Sequence, residues 1–168
     1  AKAASGYTAV QTDRVNPSPL IGNIDPFHIV IAWNVSYNNR TSHERCPGNY
    51  HTDGNGVIVD WFSTDGQGFG WFPHRTLVAF NLAFNNGGGG VHVFFSNNVT
   101  VANNTSYNNY LDPENNGTHR PALSSNLCTS SNEFLNNIGV AFKGSGMLQY
   151  NQGAVGGGGT TLGWSRNI

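Results

Sequence analysis

Lysine and glutamate together supply only five of the 168 residues, and all charged types make up 10%. Amphipathic helices draw on these residues, so their scarcity argues against a helical fold. With a net charge of −1, the chain also lacks the basic footprint by which proteins hold nucleic acid through its phosphates, and no nucleic-acid partner is expected. Long apolar runs are missing as well. The stretches His28 to Trp33 and Val91 to Phe95 are far shorter than the roughly 20 residues of a membrane-spanning helix, so no membrane span is expected. Only two cysteines occur, Cys46 and Cys128, with no Cys-x-x-Cys pair. That spacing speaks against a structural zinc site and leaves one disulfide or none.

What the chain has instead is 24 asparagines and 22 glycines, residues suited to tight corners and left-handed backbone positions. Valine, isoleucine, threonine and 12% aromatics supply strand material. The expectation is a single all-β domain over residues 1–168.

Four segments share one pattern: His28-Ile-Val-Ile-Ala-Trp-Asn-Val-Ser-Tyr-Asn-Asn39, Arg75-Thr-Leu-Val-Ala-Phe-Asn-Leu-Ala-Phe-Asn-Asn86, Asn98-Val-Thr-Val-Ala-Asn-Asn-Thr-Ser-Tyr-Asn-Asn109 and Ser131-Asn-Glu-Phe-Leu-Asn-Asn-Ile-Gly-Val140. A fifth, Leu162 to Ile168, keeps only the ending. Each unit reads as a short strand, an asparagine corner and a second short strand. Asn34, Asn81, Asn104, Asn137 and Asn167 would then stack as a ladder inside that corner, their amides bonding from turn to turn. Asn81 and Asn104 are one bare turn of a three-sided coil apart, whereas the interval from Asn34 to Asn81 fits two turns, or one turn with an insertion. A second strand type, Gly56-Val-Ile-Val-Asp-Trp61 and Gly90-Val-His-Val-Phe-Phe95, places Val57, Val59, Val91 and Val93 inward and Ile58, Asp60, His92 and Phe94 outward.

The fold expected is a right-handed parallel β-helix with an asparagine ladder and loop insertions, its recognisable repeats covering about residues 28–142. A sandwich or barrel of hairpins is the alternative, but hairpins do not require one asparagine at one place in every unit. The start at Ala1-Lys2-Ala3-Ala4 and the Gly156–Gly159 run read as flanks of a coil incomplete at its ends. Such open ends would permit end-to-end self-assembly through unpaired strand edges.

His51-Thr-Asp-Gly-Asn-Gly56, the Leu77 to Gly87 unit and Gly90-Val-His-Val93 resemble segments of the pectate-lyase-like family of secreted β-helix repeat proteins. The resemblance implies an extracellular protein acting on polysaccharide, by lyase or glycoside hydrolase chemistry. The fold also hosts non-catalytic structural, adhesive and fibre-forming proteins, which is the competing expectation.

Lysis needs a base at the C5 proton of a uronic acid and a cation to neutralise the adjoining carboxylate. Hydrolysis needs two carboxylic acids. Asp53, Asp60, His92, His51 and Arg75 are the candidate catalytic residues, and Trp61, Trp71, His74 and Lys143 the candidate substrate contacts. Asp53, Asn55 and Asp60 offer oxygen ligands for calcium. Each has a plainer role available: Asp53 before Gly54 can make an Asx-turn, His92 can be an ordinary outward strand residue, and the rings of Trp61 and Trp71 can pack a loop. Six Asn-x-Ser/Thr sequons, at Asn34, Asn39, Asn98, Asn103, Asn104 and Asn116, allow glycosylation, although an asparagine-rich chain generates such triplets by chance.

Overall fold

The computed structural model describes residues 10–12, 27–40, 54–62, 72, 74–112, 122–126, 131–140, 148–151 and 162–168. Cys46, Cys128, His51, Asp53, Trp71, Lys143, Asn116 and the Gly156–Gly159 run lie outside these. Among the described residues there are fourteen strands: β1 (Val10–Thr12), β2 (Phe27–Ala32), β3 (Val35–Tyr37), β4 (Val57–Asp60), β5 (Arg75–Ala79), β6 (Leu82–Phe84), β7 (Val91–Phe94), β8 (Val99–Ala102), β9 (Thr105–Tyr107), β10 (Leu123–Asn126), β11 (Asn132–Leu135), β12 (Ile138–Val140), β13 (Leu148–Asn151) and β14 (Leu162–Ser165). From β2 onward the chain visits three sheets in strict rotation. The first sheet runs β1-β2-β5-β8-β11-β14, the second β3-β6-β9-β12 and the third β4-β7-β10-β13. Every pairing is parallel except β1 with β2. This is a parallel β-helix, and the expected fold class stands.

The ladder at the first corner is complete. The backbone N–H of Asn34 donates to Asn81 Oδ1 at 3.0 Å and its Nδ2 to the same oxygen at 2.9 Å. Asn81 repeats both bonds to Asn104, Asn104 to Asn137, and Asn137 to Asn167. The direct bond from Asn34 to Asn81 settles their interval as one coil with an insertion. Each Nδ2 also reaches back to a strand-end carbonyl, as from Asn81 to Ile31 at 2.9 Å and from Asn104 to Val78 at 2.9 Å. A buried corner would otherwise strand these groups, at roughly 1–3 kcal/mol each.

The residue before each ladder asparagine adopts the left-handed conformation: Trp33, Phe80, Asn103, Asn136 and Arg166 have φ of 57, 56, 55, 54 and 54°. Such a residue costs roughly 1–2 kcal/mol unless it is glycine. The ladder bonds hold each of the five there, and Trp33 and Phe80 are also stacked on one another at 5.9 Å and 7°.

In a second ladder Asn86 donates from both its backbone N–H and Nδ2 to Asn109 Oδ1, and Asn39 donates to Asn86 Oδ1 from its backbone N–H alone; left-handed residues, Asn38, Asn85 and Asn108, again precede the rungs. It turns the chain from the second sheet into the Gly87–Gly90 run. There Gly87 N–H donates to Asn39 O, Gly88 N–H to Gly54 O and Gly56 N–H to Gly89 O, so neighbouring coils touch backbone to backbone. A Cβ on Gly90 would lie 2.6 Å from Ala122 O and would collide with the Ser106 hydroxyl. Gly90→Ala is therefore expected to destabilise by about 2–3 kcal/mol, read as a fall in the urea midpoint. Gly163→Ala, whose nearest obstacle is the flexible Glu133 side chain at 3.2 Å, should leave the midpoint nearly unchanged.

Inside the coil, Val57, Val59, Val91, Val93, Val99, Val101, Leu123 and Phe134 form one cluster, with the four valines of β4 and β7 pointing inward as their alternation requires. The first sheet also buries its outer face, where Val30, Ala32, Leu77 and Ala79 make a second cluster. This explains its near-continuous apolar sequences, the mark of a strand covered on both sides.

Candidate functional site

The third sheet carries the candidate site on its outer side. β4 is an edge strand of this sheet among the described residues, and its outward residues Ile58 and Asp60 are exposed. Asp60 pairs with Phe94 and Ile58 with His92 across the β4–β7 ladder. Asp60 and His92 are thus diagonal neighbours on one face, roughly 8 Å apart at their Cα atoms. The expected juxtaposition holds. Outward as it is, His92 is only 5% exposed, because strand alternation decides which side a residue takes and not whether that side is covered. Ser124, on the far side of His92 in β10, is buried too, so the outer face is covered at β7 and β10 and open at β4.

The chain leaves β4 through Trp61, left-handed at φ 62°, and leaves β7 through Phe95 at φ 44°. Trp61 N–H donates to Phe94 O at 3.1 Å, which continues the ladder one residue past the strand. This brings the two rings face to face, 4.6 Å apart and 11° from parallel. Phe94 meets Phe95 edge-on at 4.6 Å and His92 at 5.4 Å. Trp61 is 42% exposed, so the residue that follows exposed Asp60 in the chain keeps part of its indole open to solvent while its other face rests on Phe95.

The other candidates separate. Arg75 lies on the first sheet, where its guanidinium sits 4.8 Å over the Phe27 ring and donates to Thr100 Oγ1 at 3.0 Å and Glu133 Oε2 at 3.2 Å. It is a cross-strand ion-pair residue on a different face from Asp60. His74 packs at 3.5 Å from the His28 ring and edge-on to Phe72. Asn55 Oδ1 accepts from Gly89 N–H at 2.9 Å, and its carbonyl accepts from Asn39 Nδ2, so Asn55 serves the corner. Asp60 lies five positions after Asn55, most of them in the extended β4, roughly 16 Å away along the chain, whereas calcium holds each oxygen at about 2.3–2.6 Å. These two residues do not fit one ion. Among the described residues no group of three or more His, Cys, Asp or Glu could hold a metal.

Sequence reasoning missed a second surface. On the outer face of the second sheet, Val35, Leu82, Thr105 and Ile138 align in one row and Tyr37, Phe84, Tyr107 and Val140 in the next. Val35, Tyr107, Ile138 and Val140 are 46–51% exposed, and Tyr37 stacks on Phe84 at 5.2 Å. The signal was in the aligned repeats, whose second strands put an apolar or aromatic residue at the same outward places. Among the described residues no helix is long and apolar enough to cross a membrane. Against family models, curated proteins and solved structures, the chain finds no match.

Proposed function

We propose that this chain is a secreted carbohydrate-active β-helix of the pectate-lyase-like kind, which takes polysaccharide against the open edge of its third sheet and cleaves it at Asp60. The observation that carries the reading is that Asp60 and the residue after it, Trp61, are both exposed at the open edge of the sheet, with His92 on the same face as Asp60. A sugar stacked on the indole would bring its reacting carbon beside the carboxylate. In lysis the base takes the C5 proton, the C4–C5 double bond forms, and the glycosidic oxygen leaves and is protonated. In hydrolysis Asp60 works with a second carboxylate, one acid protonating the leaving oxygen while the other acts as base or nucleophile. Asn55 and Asp60 stand too far apart to share a calcium ion in either route.

The exposed apolar rows of the second sheet favour a second reading, a non-catalytic structural or adhesive β-helix, because contiguous exposed apolar surface marks interaction sites. A screen on pectate, alginate, other acidic glycans and neutral glucans, with and without EDTA, separates the two. Unsaturated products or new reducing ends support cleavage, and silence on every glycan supports the structural protein. Trp61→Ala should weaken glycan binding about tenfold, as the loss of one aromatic stacking contact does, measured by calorimetric titration.

A further inference from the structure

We propose that, of the sequon asparagines in the described residues, Asn103 is the one that carries an N-linked glycan in the folded protein. The inference rests on the reading of the chain as secreted. The five described sequons are sorted by what their side-chain amides already do. Asn104 is 1% exposed, and its Nδ2 donates to Val78 O, Ala102 O and Asn137 Oδ1. Asn34 is 6% exposed and its Nδ2 donates to Ala32 O and Asn81 Oδ1. Asn39 Nδ2 is committed to Ser36 Oγ and Asn55 O. Asn98 is half-buried at the entry to β8.

Asn98 shares with Asn103 a left-handed backbone, at φ 58°, and a side chain with no hydrogen bond to the described residues, so exposure is what sets Asn103 apart from all four. Asn103 is exposed, it sits left-handed at the corner between the first and second sheets, and no hydrogen bond ties its side chain to the described residues. Its place in the stack is that of Trp33 and Phe80, which also point out of the coil.

Transfer joins the asparagine Nδ2 to the anomeric carbon of an oligosaccharide donated by a polyprenyl diphosphate. The C–N bond forms, the anomeric C–O bond breaks, the diphosphate leaves with the electron pair and the amide gives up one proton. At Asn34, Asn39 or Asn104 this removes a donor hydrogen from a ladder amide and forces a hydrated polymer into a closed corner. A chain so modified loses the bonds that turn it, and unsatisfied buried groups cost roughly 1–3 kcal/mol each. At Asn103 the glycan extends into solvent, away from the outer face of the third sheet, and no described bond is lost.

The overlap of Asn103-Asn104-Thr105 with Asn104-Thr105-Ser106 supplies the test. Thr105→Val destroys the Asn103 sequon and leaves that of Asn104 intact. Valine suits the position, because Thr105 lies in register with Leu82 and Ile138 and the fold should survive. Wild type and Thr105→Val are expressed in a secreting eukaryotic host, and glycan occupancy is read residue by residue by mass spectrometry after enzymatic release in heavy-oxygen water. Supplying the host's machinery makes the result independent of where the protein natively resides, so a failure of the site and a failure of the secreted reading stay distinct. Occupancy of Asn103 in wild type, falling to background in Thr105→Val, is the expected result. An unmodified Asn103, a glycan on Asn34, Asn39, Asn98 or Asn104 in folded secreted protein, or one on Asn103 that persists in Thr105→Val overturns the proposal.

Discussion

Replacing Asn104 with alanine is expected to destabilise the protein by roughly 3–5 kcal/mol, a large share of the stability of a domain this size. Asn104 is the middle rung of the first ladder. Its Oδ1 accepts from both Asn81 N–H and Asn81 Nδ2, and its own Nδ2 satisfies Val78 O and Ala102 O. Alanine removes all of these at once in a position that is 1% exposed, where water cannot replace them. Asn167 is half-buried and ends the ladder, so Asn167→Ala should cost only about 1 kcal/mol. Urea denaturation of the two variants checks this, the midpoint moving while the slope stays constant. Equal costs at the two rungs would mean that the ladder is a consequence of the stacking and not a cause of it.

The ladder was legible because it rests on repetition. One asparagine after one alternating strand, in register through Asn34, Asn81, Asn104, Asn137 and Asn167, has few other structural explanations. Inward valines on β4 and β7 were legible for a similar reason, since alternation fixes sides. The second ladder was equally visible in the paired asparagines at 38–39, 85–86 and 108–109 and went unassigned, because two adjacent asparagines do not say which one turns inward. The backbone answers: the first takes the left-handed conformation and the second enters the corner.

Other features leave no local mark. Nothing about tryptophan or phenylalanine announces positive φ, yet Trp33, Phe80, Trp61 and Phe95 all have it, because the bonds of the residues around them over-determine the turn. Arg75 looked available for catalysis until register set Glu133 within 3.2 Å of its guanidinium, 58 residues along the chain. The burial of His92 depends on what lies over the third sheet, which strand periodicity does not encode. Of the candidate residues, the sequence put Asp60 and His92 on one face of successive turns, and the register of β4 with β7 sets them there. Their chemistry remains the proposal.

The most direct test of that proposal is a comparison of wild type with Asp60→Asn on the glycan the screen identifies, measuring initial rate and binding together. Asparagine preserves size and keeps an oxygen at the exposed end of β4, so folding and affinity should be unaffected. It cannot take or give the proton. A fall in turnover of roughly 10²–10⁴-fold with unchanged affinity is the expected result, and full turnover by Asp60→Asn would contradict the assignment and place the chemistry elsewhere on the coil.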